Sequence, residues 1–70
     1  MKNIKKIIGR RIARERKNKK ISQEKLAELA DLHRNYIGAV ERGEMNTGVE
    51  NIYKIALALD IKMEILFKGL

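Results

Sequence analysis

Seventy residues allow one domain, spanning residues 1–70, and a chain this short buries only about 60% of the surface it exposes when unfolded, so one compact core is the ceiling. Hydrophobic residues make up 44% and charged residues 36%, with five glycines and no proline, which favours a helical globular domain over disorder; the 4% aromatic content weighs against a β-rich one. The net charge is +7, and its placement says more than its size: residues 1–20 carry ten basic groups and one acid, whereas residues 21–70 carry six basic and eight acidic groups.

An excess of positive charge confined to one end suggests a polyanion as partner, either nucleic acid or an anionic membrane surface. No stretch approaches the roughly 20 consecutive apolar residues that a membrane span needs, and the Ile7-Ile8 pair after the first lysines is too short for a secretory signal. Without cysteine there is no disulfide framework and no thiolate metal site, and the single His33 cannot hold a structural zinc alone. A reducing, cytoplasmic location is the expectation.

From Asn3 to about Lys17, isoleucines at 4, 7, 8 and 12 recur at three- and four-residue spacing, the pattern of an amphipathic helix with one apolar stripe and one strongly basic face. Alone, this segment would also suit a cationic helix on a membrane surface. Gly9 weakens the helix by about 0.5–1 kcal/mol relative to Ala, and admitting a close neighbour is one reason to keep it. Asn18-Lys19-Lys20 breaks the pattern, and Ser22 offers a side-chain oxygen to the free N–H groups of a second helix, Gln23 to Ala30. Leu26, Leu29 and Ala30 should face inward there, with Ala27 leaving room for a neighbour. Ala30-Asp31-Leu32 is a tight turn whose left-handed position Asp tolerates better than most residues, and Leu32 plugs it into the core.

A third helix should begin after His33 and stop at Gly43, a good residue for the left-handed position past a helix end. It turns Ile37 and Val40 inward and Arg34, Asn35, Gly38, Ala39 and Arg42 outward. Glu44-Met45-Asn46 forms a loop, and Thr47-Gly48-Val49-Glu50 fits a Thr-x-x-Glu capping box at the start of a fourth helix. Ile52, Ile55, Ala56 and Leu59 then follow at i, i+3, i+4 and i+7, the cleanest periodicity in the chain. A short fifth helix, about residues 63–68, closes the sequence. The fold expected is all-α, a compact five-helix domain.

At Ser22-Gln23-Glu24-x-Leu26-Ala27, Tyr36-Ile37, Glu41-Arg42-Gly43 and Asn51-Ile52-x-Lys54-Ile55-Ala56-x-Ala58-Leu59, the chain resembles the lambda-repressor-like helix-turn-helix family, also called the Cro and xenobiotic-response-element type. The resemblance covers nearly all of residues 8–69, with the helix-turn-helix at about 22–42. Within that family the small size and the segment Asp31-Leu32-His33-Arg34-Asn35-Tyr36-Ile37 are most similar to restriction-modification controller proteins. Two positions depart from the pattern: Asp31 stands where glycine is usual, and Glu15 where an apolar residue is common.

The resemblance implies a role for each matching residue. Gln23 would bond a phosphate and brace the third helix; Arg34 and Asn35 would meet base edges or nearby phosphates; Ala39 would face a base one turn on. Arg42 and the backbone from Met45 to Gly48 would grip the phosphodiester chain, and Arg16 would pair with Glu41 between helices one and three. The expected DNA-contact set is therefore Ser22, Gln23, His33, Arg34, Asn35, Tyr36, Ala39, Arg42, Asn46 and Thr47. His33 reads first as a helix cap, Thr47 as a cap whose free helix end also attracts phosphate, and Tyr36 either lies along the sugar-phosphate backbone or packs on helix two. Arginine offers two donors to guanine O6 and N7, asparagine pairs with adenine N6 and N7, and each such contact discriminates by about 1–3 kcal/mol. Lys2, Lys5, Lys6, Arg10 and Lys17 would add affinity without sequence information.

Family members bind as two-fold dimers, and Met63, Leu66, Phe67 and Leu70 supply the expected dimer seam. There is no nucleophile beside a base, no metal-ligand cluster and no phosphate-cradling glycine loop, so neither catalysis nor a cofactor nor a small-molecule ligand is expected. The function read from the sequence is sequence-specific binding of double-stranded DNA to regulate transcription, as a controller protein or phage-type repressor, with an RNA polymerase contact as a further partner. Two other classes stay open at this point: an antitoxin-like protein-interaction module that autoregulates through the same DNA face, and a cationic membrane-surface binder.

Overall fold

The computed structural model describes residues 3–70, and Lys2 lies outside them. Five helices follow one another: α1 Ile4–Asn18, α2 Gln23–Ala30, α3 Arg34–Glu41, α4 Val49–Leu59 and α5 Met63–Phe67. No strand occurs among the described residues.

Local chemistry sets most of these boundaries. Asn3 caps α1 by accepting from the Lys6 N–H at 3.1 Å, and Ser22 caps α2 by accepting from the Lys25 N–H at 3.0 Å. His33 caps α3 through Nδ1, which accepts from the Asn35 N–H at 3.1 Å. At the other ends, Asp31 after α2 and Asp60 after α4 both adopt the left-handed conformation, with φ of 57° and 56°. In both turns the next N–H closes on a carbonyl five residues back, Leu32 on Ala27 and Ile61 on Ala56. The turn that usually holds glycine is thus made by an aspartate, a residue that reaches this region at lower cost than most.

The helix-four start differs from the sequence expectation. α4 begins at Val49 with Gly48 as its N-cap, and no side chain caps it. A capping box needs its glutamate at the third helical position; here Glu50 is second, so Thr47 stands one residue too early to cap.

Ile12, Leu26, Ile37, Ile55, Leu59 and Leu66 are the largest fully buried side chains, one or more from every helix. Each contributes on the order of 1.5–3 kcal/mol on burial. The apolar stripe of α1 is narrower than its isoleucines suggest: Ile8 and Ile12 are core, Ile7 is half-buried and Ile4 is exposed. In α2 the buried arc is Leu26, Ala27 and Ala30; Leu29, expected inward, falls off that arc and is half exposed. Leu66, expected on the dimer seam, has no exposure at all and belongs to the core, because α5 is only five residues long and must anchor itself through one inward side chain.

Gly9 has a clear reason to be glycine. A Cβ there would overlap the carbonyl oxygen of Val40 and come within 2.8 Å of that of Glu41, so α1 and α3 cross backbone to backbone at this point.

Candidate nucleic-acid interface

The outward surface of α3 follows from its helical spacing. With Ile37 and Val40 buried, Arg34, Asn35 and Arg42 are left exposed, while Ala39 and Tyr36 sit half-buried at the edge. Gln23, Arg34, Asn35, Gly38 and Arg42 line one shallow polar cleft along this surface. Gly38 was expected to be bare and outward. It is instead covered, since the Arg42 guanidinium lies over it, 3.0 Å from where a Cβ would stand, with the Gln23 side-chain oxygen Oε1 at 3.7 Å.

Behind the cleft, Glu41 ties three helices together. Arg16 on α1 donates to it through two nitrogens, Nε to Oε2 at 2.7 Å and Nη2 to Oε1 at 3.0 Å, and Gln23 at the head of α2 donates Nε2 to Oε1 at 2.9 Å. Arg16 also donates to the Ile21 carbonyl at 2.9 Å, which fixes the link between α1 and α2. The Arg16 and Glu41 side chains are only 12% and 6% exposed, so their bidentate pair is shielded from the water that weakens surface ion pairs. The hydrogen bond to Glu41 lifts the Arg16 guanidinium above its ordinary value against the opposing effect of burial. A raised basic group stabilises fully below its unfolded value and loses that contribution only as pH rises through the folded one. No working pH therefore discharges Arg16. Gln23, expected to bond a phosphate and to brace, has its amide N–H committed to bracing.

Arg42 meets solvent more fully. Its Nε donates to Glu44 at 3.0 Å across an exposed pair, and that bond raises its value above the ordinary one. The Ser22 hydroxyl and His33 Nδ1 both accept backbone N–H groups as caps. Asn46 is exposed and Thr47 half-buried beside α4. The Tyr36 hydroxyl accepts from Asn51 Nδ2 at 3.0 Å, joining α3 to α4. Of the basic first helix, Lys5, Lys6, Arg10 and Lys17 are exposed.

Three groups of residues escaped the sequence reading. Arg11, to which the sequence assigned no role, turns Nη1 onto the Leu66 and Lys68 carbonyls at 3.1 and 2.6 Å and so caps the end of α5. The signal for it was negative: the last turn of α5 has no basic residue of its own. Asn51 gave no signal that reasoning from periodicity could use. Val49, Tyr53 and Leu57 did, as an i, i+4, i+8 series beside the buried set; they are 73%, 51% and 60% exposed and make an apolar ridge along α4. Of the expected seam residues, Phe67 and Leu70 are exposed at 37% and 43%, and Met63 is partly buried against the core. Val49 and Phe67 share an apolar groove of about 290 Å³ with Ile4, Ile8, Met45 and Ile52.

Among the described residues no group of three or more His, Cys, Asp or Glu side chains could hold a metal ion, and no helix is long and apolar enough to cross a membrane.

Two short helices joined by a left-handed turn, with the second presenting polar groups over a braced back, define a helix-turn-helix DNA-binding regulator of transcription rather than an enzyme. The chain belongs to the lambda-repressor-like (Cro and xenobiotic-response-element type) helix-turn-helix family, whose model, described as Helix-turn-helix, matches residues 12–66. It is similar to control protein C.BamHI of Bacillus amyloliquefaciens, 44% identical over 61 residues that cover 86% of this chain and 75% of that one. The crystal structure of the restriction-modification controller protein C.AhdI from Aeromonas hydrophila superposes with a TM-score of 0.87 at 47% identity, covering 89% of this chain and 94% of that one. The immunity repressor protein of Bacillus phage phi105 is 38% identical over 56 residues, which cover 80% of this chain and 39% of the repressor.

Proposed function

We propose that this protein is a restriction-modification controller: a homodimer that reads a palindromic duplex operator and so sets transcription of the adjoining genes. The observation that carries the reading is the cleft of Gln23, Arg34, Asn35, Gly38 and Arg42 on the exposed side of α3, supported by the similarity to control proteins at 44% and 47% identity. Arg34 and Asn35, in the first turn of α3, occupy the part of a recognition helix that reaches base edges in the major groove. Ala39 offers a methyl group one turn on. Arg42, Tyr36, Asn46, Thr47 and the capped helix starts at Ser22 and His33 meet flanking phosphates, and Gln23 serves mainly to hold α3 in register. Lys5, Lys6, Arg10 and Lys17 add salt-sensitive affinity.

One copy reads too few base pairs to find a site, and two-fold pairing doubles the reading length. The seam proposed is the α4 ridge of Val49, Tyr53 and Leu57 with Phe67 and Leu70, a revision of the α5-only seam that the sequence suggested. A contact with RNA polymerase is part of the same proposal. The similarity to an immunity repressor favours, as a second reading, a repressor acting through the same surface.

Gel-shift titrations against random and palindromic duplexes at several salt concentrations test the proposal. The protein should discriminate among duplexes, and Arg34→Ala should weaken the preferred site by about 1–3 kcal/mol per half-site and relax its sequence preference. Equal affinity for every duplex, unchanged by Arg34→Ala, would sink it.

A further inference from the structure

Tyr36 lies on α3 where the outward arc of Asn35 and Ala39 gives way to the buried arc of Ile37 and Val40, and its ring packs against the core. Its hydroxyl accepts a hydrogen bond from Asn51 Nδ2 at 3.0 Å. Among the described residues this is the one side-chain to side-chain hydrogen bond between α3 and α4. A phenol has one proton and two acceptor sites. Where an amide N–H points at the oxygen, the phenol proton must turn elsewhere, and no hydrogen bond from the Tyr36 hydroxyl to a protein acceptor occurs among the described residues. An accepted hydrogen bond also polarises the O–H and makes it a better donor.

We propose that Asn51 is a positioning residue of the DNA-contacting surface: by donating to Tyr36 it fixes the hydroxyl as an outward donor, suited to a phosphate oxygen of the bound duplex. The inference rests on the DNA-reading function above. It assigns Asn51 no contact with DNA. What it assigns is polarity: with an acceptor at position 51 the tyrosine proton would be held inward, and the surface would present a lone pair to a phosphate.

The test measures affinity for the preferred duplex in Tyr36→Phe, Asn51→Ala and Asn51→Asp, each alone and with the position-51 changes also placed in the Tyr36→Phe background. Melting temperature and helicity report folding, and Asn51→Asp keeps the size of the side chain should Asn51→Ala loosen the packing. Tyr36→Phe should weaken binding about threefold to tenfold for each half-site. Asn51→Ala should lose most of that factor with the salt dependence unchanged, because no cation is removed, and should cost nothing further once Tyr36 is Phe. Asn51→Asp should weaken binding more in the Tyr36 protein than in the Tyr36→Phe background, where only its charge acts. Losses that simply multiply, a carboxylate at 51 that costs the same in both backgrounds, or Tyr36→Phe without effect would each overturn the assignment while leaving the DNA-reading function intact. A wild-type protein that prefers no duplex would remove both.

Discussion

Gly9 and Gly38 look alike in the sequence, each a helix-weakening residue in the middle of a helix, yet the space around them assigns opposite outcomes to the same change. At position 9 a methyl group would meet the backbone carbonyls of Val40 and Glu41, which cannot move without parting α1 from α3. Gly9→Ala should therefore destabilise the fold by about 1–3 kcal/mol despite the better helix propensity of alanine. At position 38 the neighbour is the end of the Arg42 side chain, which can swing away. Gly38→Ala should raise stability by up to about 1 kcal/mol in thermal or urea unfolding, while displacing Arg42 from the cleft and lowering affinity for duplex DNA. A destabilised Gly38→Ala protein would mean that Arg42 is fixed in place.

At this scale the resemblance made the Arg16 and Glu41 pair legible, and the spacing made the outward direction of Arg34 and Asn35 legible. The partners of Gln23 were not, because an amide that looks available on a helix surface is claimed by whichever charged group the tertiary fold brings close. The partners of Arg11 and Asn51 were invisible for the same reason: each acts on a residue of another helix, and no local pattern encodes such a meeting.

Among the elements, the first four helices could be read from apolar spacing, caps and stops, with bounds close to those observed, and the short fifth was placed with neither a spacing nor a cap to mark it. The failures lie at one start and in the facing of Ile4, Leu29, Gly38 and Leu66. α4 begins one residue later than its threonine suggested, and Leu29 and Leu66 exchange expected places, outward and inward, because a helix of eight or five residues offers too few positions for periodicity to settle which face is buried. The longer α4 leaves its ridge of Val49, Tyr53 and Leu57 uncovered. If this ridge is the dimer seam, Leu57→Asp should give monomers in sedimentation velocity while keeping the helical content of the wild type, and should weaken operator binding through the lost second half-site. A dimer that persists at the same concentration would move the seam elsewhere.

For the molecule as a whole, the fold draws on the charge that the sequence concentrates in its first twenty residues. Two of the four arginines of α1, Arg11 and Arg16, are consumed by the fold, one on the end of α5 and one on Glu41. Lys5, Lys6, Arg10 and Lys17 remain exposed for a polyanion, together with Arg34 and Arg42 of the cleft. Binding should consequently weaken steeply with salt, and Lys17→Gln or Arg10→Gln should each reduce the slope of log affinity against log salt by up to about 0.9 per subunit if that side chain sits on a phosphate. The loss should be equal for operator and random duplex, whereas loss of Arg34 should not be. Arg11→Gln would serve as the control, with a melting temperature that falls and a slope that does not.

The pairing of Arg42 with Glu44 gives the free protein a built-in competitor. If Arg42 meets a phosphate as proposed, that phosphate does not find a bare cation; it shares the guanidinium with a carboxylate that already bonds Nε at 3.0 Å. On that proposal every duplex meets the same pair, so the carboxylate tempers residence on DNA in general and leaves the ranking of sequences alone. Glu44→Gln should lengthen the dwell time on operator and random duplexes by the same factor, and a protein so altered would search a genome more slowly because it lets go of wrong sites less readily.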